Sequence, residues 1–228
     1  MKAASLKSLE KRIISCNLCP RLRDHCSEVA SVKRAAYRGE TYWGQPVPGF
    51  GDAQARLILI GLAPGAHGAN RTGRVFTGDR SGDWLYGALH RAGFANQAQS
   101  TYRGDGLLLQ DAWITCAARC APPGNKPLPQ ELSNCSAFLE EELSLLPSAQ
   151  VFLALGQIAL QMLWPKIAPP ELKRPRFEHG SATPLPDGRC VLQSYHPSQQ
   201  NTFTGRLTEP MFDSVFEKAR DIIHQSGS

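Results

Sequence analysis

The chain has 228 residues, enough for one α/β domain with its own core, and its 42% hydrophobic and 20% charged residues are ordinary for a soluble globular protein. No apolar stretch approaches the ~20 residues that span a bilayer, and the start MKAASLKSLEKRIISC alternates charge with single apolar residues, so no membrane span or signal peptide is read and a cytoplasmic location is expected. The net charge of +5 is compatible with a nucleic-acid partner without requiring one.

Four short apolar runs bounded by turn residues read as buried strands, at 56–60, 112–115, 150–155 and 190–195. Helical stretches fall at 81–92, 130–145, 156–163 and 209–224, the last with Pro210 in its first turn. Strand alternates with helix, which predicts a parallel sheet covered on both faces. Ligands of such sheets sit outside the carboxyl ends of the strands. Three of the four loops placed there are unusual: GLAPGAHGANRTGRVFTGD (61–79), CAARCAPPGNKP and HPSQQNTFTGRL. The fourth, GQIALQ, is a plain turn into a helix, and the Pro-rich stretch 165–186 reads as a surface excursion.

The first loop holds the G-x-x-x-x-G half of a phosphate-binding loop at Gly68 to Gly73. Arg74 and Val75 follow, where that motif needs Lys and then Ser or Thr to reach the terminal phosphates and magnesium. A nucleotide hydrolase therefore loses its mechanism, and no G-x-G-x-x-G follows the strand to suggest a dinucleotide.

Seven cysteines in a chain read as intracellular argue against a disulfide framework and for metal ligation. Cys16 and Cys19, in CNLC, can chelate one metal site, and Cys120 and Cys135 supply two more thiolates. Zinc and an iron–sulfur cluster both suit four thiolates. Cys190, inside a strand, and Cys26 read as small apolar side chains, while Cys116 could substitute for Cys120 as a ligand.

Together these motifs resemble the family 5 (type B) uracil-DNA glycosylases over about residues 16–224. That resemblance implies a three-layer α/β/α sandwich on a four-stranded, mainly parallel sheet, formed by residues 1–228 as one monomeric domain. It also implies a structural 4Fe-4S cluster held by Cys16, Cys19, Cys120 and Cys135, Cys120 being preferred to Cys116 because it directly precedes APPGNKP. The implied activity is monofunctional excision of uracil, and of other deaminated bases such as hypoxanthine or xanthine, from DNA in base excision repair. Family 4 enzymes carry Glu where this chain has Leu62 and Asn where it has Cys116. Leu62 cannot activate water, which leaves Asp79, Asn125 and His196 as the polar candidates.

The roles follow from the reaction: a flipped nucleotide must be held while an electron-poor sugar and an electron-rich base develop. Phe76 would stack on the base. Asp79 would orient water and stabilise the sugar cation, or simply cap the helix at Ser81. His196 would donate to uracil O2, helped by backbone N–H groups after Gly61, at Leu62 and Ala63. Asn125 would act at the pocket or cap a turn. The loop glycines would let a nucleotide approach the backbone. Arg71, Arg74, Lys126 and Arg206 are the expected phosphate contacts, and Leu207 or Phe203 the wedge in the minor groove. No lysine in these motifs could form a Schiff base, so no lyase step is expected. The competing reading is a non-catalytic iron–sulfur module that binds nucleic acid or senses redox state.

Overall fold

The computed structural model describes residues 5–225. It begins with two helices absent from the sequence expectation, α1 (Leu6–Ile14) and α2 (Pro20–Val32). Ser5 caps α1 by accepting the Ser8 N–H at 3.2 Å, and Leu9 and Ile13 bury one face. The spacing Leu6, Leu9, Ile13 after a serine cap was the available signal. Helix α2 starts with Pro20 in its first turn, where a missing N–H costs nothing, and uses Cys19 as its N-cap residue.

Six strands follow, interleaved with helices: β1 (Phe50–Gly51), β2 (Leu57–Gly61), α3 (Ala69–Thr72), α4 (Arg80–Arg91), β3 (Ala112–Cys116), α5 (Pro129–Ser144), β4 (Val151–Leu155), α6 (Gln157–Ile167), β5 (Ala182–Pro184), β6 (Cys190–Ser194), α7 (Gln199–Phe203) and α8 (Glu209–Gln225). They form one sheet of order β1-β3-β2-β4-β6-β5. The expected four-stranded sheet is its parallel centre, β3-β2-β4-β6; the correction is an antiparallel strand at each edge. β1 has two residues and β5 three, ending in proline, too short for any apolar alternation to mark them in sequence.

Each central strand is buried along its whole length, and side-chain alternation assigns its two faces. Leu57, Leu59, Ile114, Leu153 and Leu192 meet Leu85 and Leu89 of α4 and Phe212 and Phe216 of α8. Ile58, Ile60, Trp113, Phe152 and Val191 meet Leu160, Leu163 and Trp164 of α6, with Leu6 and Leu143 at the margin. These are the three layers. Helix α6 runs past the expected stop at 163 and through Pro165, ending two residues later at Ile167. Among the described residues no helix is long and apolar enough to cross a membrane.

The parallel centre puts the loops after β2, β3, β4 and β6 at one end of the sheet. Beyond the strands, Ala117 N–H donates to Gly61 O and Ala118 N–H to Leu62 O, both at 2.9 Å, so the first two of these loops leave the sheet zipped together.

Candidate active site

Loop 61–79 is held by its own arginines. Arg71 donates from Nε to His67 O and from Nη2 to Gly78 O, each at 2.8 Å, pairs with Glu40 and lies 4.0 Å from the Tyr37 ring centroid. Arg74 grips Asp105 with two nitrogens at 2.9 and 2.7 Å and also donates to Thr77 and Ser100. Arg74 and Asp105 are 4% and 5% exposed. Burial opposes ionisation of Asp105, but Arg74 and the N–H groups of Thr101 and Leu107 outweigh it and hold the carboxyl well below its usual range. Both arginines were expected to touch phosphates. The structure corrects this: each is buried and used up bracing the loop, because a fork of five donors saturates several carbonyls and a carboxylate at once.

The braced loop presents Phe76 at φ 50°, a left-handed conformation that a bulky side chain adopts only when its surroundings impose it. Tyr86 Oη donates to Val75 O at 2.9 Å, and α4 passes so close that a Cβ on Gly82 would lie 1.8 Å from Phe76 O. The Phe76 ring rests on the end of β2, where a Cβ on Gly61 would meet it at 2.8 Å and the Cys116 sulfur at 3.3 Å. Burial pushes the Cys116 thiol up to about 12, which keeps it protonated at neutral pH beside Gly61 and Phe76.

Asp79 fills the capping role considered for it with one oxygen and leaves the other over the loop. Its Oδ1 accepts the Gly82 N–H at 3.0 Å and caps α4. Its Oδ2 lies over the glycines of the same loop: a Cβ on Gly68 would be 1.9 Å from it and one on Gly65 2.7 Å. These glycines therefore make room for the carboxylate, where the sequence suggested room for a nucleotide. Burial raises the pKa of Asp79, with the N–H groups of Gly82 and Ser81 opposing.

His196 follows β6 and Tyr195. Its carbonyl accepts from Ser198 N–H at 2.7 Å and Asn201 Nδ2 at 2.8 Å, which fixes the backbone. Its ring faces Phe76 at 5.6 Å between centroids and 30° between planes. Burial lowers its pKa to about 4, so at neutral pH the imidazole is uncharged and carries one N–H donor. Phe76 thus joins the end of β2 at Gly61 to the neutral imidazole of His196, and the same loop holds the Asp79 carboxylate over Gly65 and Gly68.

Other expected residues fall outside this constellation. Asn125 is exposed in a left-handed turn whose N–H donates to Pro122 O at 3.1 Å, and the contacts joining Phe76, Gly61 and His196 do not include it. Lys126 beside it is exposed. Leu207 is fully buried among the residues under α8, so it cannot be a wedge in its present position. Phe203, the other candidate, is 66% exposed at the end of α7, with the Arg80 guanidinium 4.5 Å from its ring centroid. Arg206 lies 4.5 Å over the Tyr195 ring. The Arg80–Phe203 pair was missed because the two are distant in sequence and meet only when α4 and α7 converge.

The four expected ligand cysteines gather from separate elements: Cys16 at the α1–α2 junction, Cys19 at the start of α2, Cys120 after β3 and Cys135 on α5. Cys19 packs with Cys120, Leu22, Cys26 and Ala121, and Asn134 Nδ2 donates to its sulfur at 3.4 Å. Cys135 is within electrostatic reach of Cys19 and Cys120, and Cys19 of Cys16. Burial pushes the Cys135 thiol up to about 11. Among the described residues no three His, Cys, Asp or Glu side chains converge on a single ion. Cys26 is corrected from a plain apolar side chain: it packs with Cys19 and Cys120, hydrogen-bonds with Cys120 and donates towards Ala121 O at 3.6 Å, while Cys190 lies in the core, as expected of a small apolar side chain.

Comparison with known proteins gives the same direction. The family model of the uracil DNA glycosylase superfamily matches residues 48–220. The chain is 53% identical over 208 residues to a type-5 uracil-DNA glycosylase of Thermus thermophilus, covering 91% of this chain and 94% of that protein. It is 49% identical over 221 residues to one of Mycobacterium leprae, covering 96% of each, and 43% identical over 213 residues to one of Pyrobaculum aerophilum, covering 91% and 89%.

Proposed function

Because the chain belongs to the uracil DNA glycosylase superfamily, we propose that the pocket above Gly61 hydrolyses the N-glycosidic bond of uracil in DNA, and of other deaminated bases such as hypoxanthine and xanthine, as a step of base excision repair. The observation that carries this reading is the Phe76 ring, seated on Gly61 and facing the neutral His196, on the loop that also holds the Asp79 carboxylate over its glycines.

A base within a duplex is unreachable, so the nucleotide must be extruded into the pocket. Phe76 supplies the stacking face, and Cys116 closes the floor beside it. As the bond lengthens, positive charge grows on the sugar and negative charge on the base. Asp79, tied to Gly82 by one oxygen, keeps the other to orient water and face the cation. His196 donates its single N–H to the base oxygen, and the N–H groups of Leu62 and Ala63 add to the same end. An imidazolium would be the stronger donor, but burial makes it unavailable. Phe203, steadied by Arg80, fills the space the nucleotide leaves, and Lys126 and Arg206 contact phosphates on the same side. Asn125 bears on substrate only if its turn moves towards the pocket.

The donor set suits a 4Fe-4S cluster: four free, largely buried thiols from three segments lie within electrostatic reach of one another, and a cluster takes four thiolates. Cys16, Cys19, Cys120 and Cys135 would hold it, and bound there it would cross-link α1, α2, α5 and the loop after β3. The enzyme acts as a cytoplasmic monomer on this reading.

Incubation with a duplex holding one G·U pair, followed by hot alkali, should cut the uracil strand. No scission at any enzyme excess would sink the proposal. An anaerobic preparation should be brown and carry four irons per chain; a colourless protein with stoichiometric zinc would refute the cluster.

A further inference from the structure

The antiparallel edge of the sheet stops pairing just short of the pocket, and one side chain continues it. β5 pairs with β6 as far as Ala182 opposite Leu192, and one step further Gln193 N–H still donates to Ser181 O at 3.1 Å. Along a strand, N–H groups two residues apart point to the same neighbour, so the next one on this edge belongs to Tyr195. Its acceptor is not a backbone carbonyl but Nδ1 of His179, 3.2 Å away.

His179 is held firmly enough to act as a fixed post. Before it, Glu178 N–H donates to Gln193 Oε1 at 3.1 Å; after it, Gly180 N–H donates to Gln193 O at 2.8 Å and Lys218 Nζ to Gly180 O at 2.7 Å. Gln193 is fully buried on β6, and Lys218 comes from α8. The His179 ring stacks on Tyr195, with centroids 5.0 Å apart and 7° between planes, and it also hydrogen-bonds the Met211 backbone of α8. Nδ1 can accept only in the neutral ring, and burial lowers the pKa of His179 in that direction.

The residue after Tyr195 is His196. Its carbonyl is already tied to Ser198 N–H and Asn201 Nδ2, so the Tyr195 N–H supplies the matching restraint on the other side of the same residue. Between these two restraints the imidazole faces Phe76 at 5.6 Å.

We propose that His179 is a positioning residue of the pocket: through the Tyr195 N–H and the stack on the Tyr195 ring it fixes the backbone that aims His196 at Phe76 and the base, and it acts on the reaction through His196 alone. The kinetic part of this inference rests on the glycosylase reading; the placement of His196 does not.

The test compares H179F, which keeps a ring to stack but has no acceptor, with H179N, whose amide oxygen stands where Nδ1 stands. Single-turnover excision on saturating G·U duplex should fall about 10²-fold in H179F, the cost of a misplacement near 1 Å, with duplex affinity unchanged. H179N should recover most of that rate. In an H196A background H179F should add no further loss, because the residue through which it acts is gone. Equal losses in both backgrounds would assign His179 to the fold alone and overturn the inference, as would full rate in H179F. NMR of the His196 imidazole gives a readout free of DNA: its titration at about 4 should move towards 6.5 in H179F, where water reaches a loosened ring, and stay in place in H179N. An unmoved titration in H179F overturns the inference even where excision is slow. A wild type that excises no uracil, with His196 moving in H179F, refutes the glycosylase reading and leaves the positioning role standing. If H179F does not fold, H179Q takes its place, since its longer side chain carries the amide past the Nδ1 position.

Discussion

The carboxylate of Asp79 sits so close over Gly68 that a Cβ at that glycine would fall 1.9 Å from Oδ2. The oxygen available to face a sugar is thus placed by the absence of a side chain eleven residues earlier. Gly68→Ala should push the carboxylate aside while the helix cap at Oδ1 holds the fold. A displacement near 1 Å costs about 10²-fold in rate; single-turnover excision beside a thermal melt measures both effects, and full activity would show that Oδ2 does not need its present position.

Asp79 itself separates charge from capping. Asp79→Asn keeps a good N-cap but no anion, and should lose about 10²–10⁴ in excision rate. Burial raises the folded-state pKa, so the folded protein binds this proton more tightly than the unfolded chain does. The stability linked to it is present below the unfolded carboxylate pKa and is lost as pH rises through the higher folded value. At neutral pH Asp79→Asn should therefore melt above the wild type, which a pH series of melting curves checks. An inactive variant that also melts lower would place Asp79 in the fold alone.

His196 works in the opposite sense. Its pKa falls from 6.5 to about 4 through burial, so folding favours the neutral ring. The associated stability is complete above 6.5 and declines as pH drops towards 4. His196→Asn should remove that part of the acid sensitivity. The excision rate of the wild type should show no histidine limb near 6.5, and an NMR titration of the imidazole reads the value directly.

Arg74 and Arg206 should separate structure from binding. Arg74→Ala leaves Asp105 buried without its partner, a loss of about 3–5 kcal/mol, with no effect on the salt slope of DNA binding in the protein that remains folded. Arg206→Ala should leave the melt near that of the wild type and reduce the slope by about 0.9. Chemical denaturation and anisotropy titrations at several salt concentrations distinguish them.

Phe203 and Leu207 make a second such pair. Leu207→Ala opens a cavity in a fully buried site and should cost about 2–5 kcal/mol of stability. Phe203→Ala should leave the melt unchanged and slow excision from duplex more than from single-stranded DNA, where no vacated stack has to be filled. Equal slowing on both substrates would remove Phe203 from the wedge role.

The parallel centre of the sheet was legible because a strand buried on both faces must be apolar throughout, as LILI and VFLAL are. The edge strands were not, since two or three residues carry no periodicity. Loop 61–79 was legible as a candidate site through Phe76 and Asp79, whereas its glycines make room for the carboxylate. What its arginines do was not, because exposure decides whether a guanidinium meets phosphate or carboxylate, and Asp105 and Glu40 are 31 residues away from Arg74 and Arg71.

By itself, then, the sequence determined which groups this chain has to offer: one carboxylate, one aromatic and one histidine on loops following parallel strands, and four cysteines. Tertiary structure decided which of those groups are free to act. Burial neutralises His196 and Cys116, a cap takes one oxygen of Asp79 and leaves the other, ion pairs consume Arg71 and Arg74, and the core claims Leu207 in place of Phe203. The reason is that solvation and pairing depend on neighbours brought together by folding, whereas residue type and local periodicity are written along the chain.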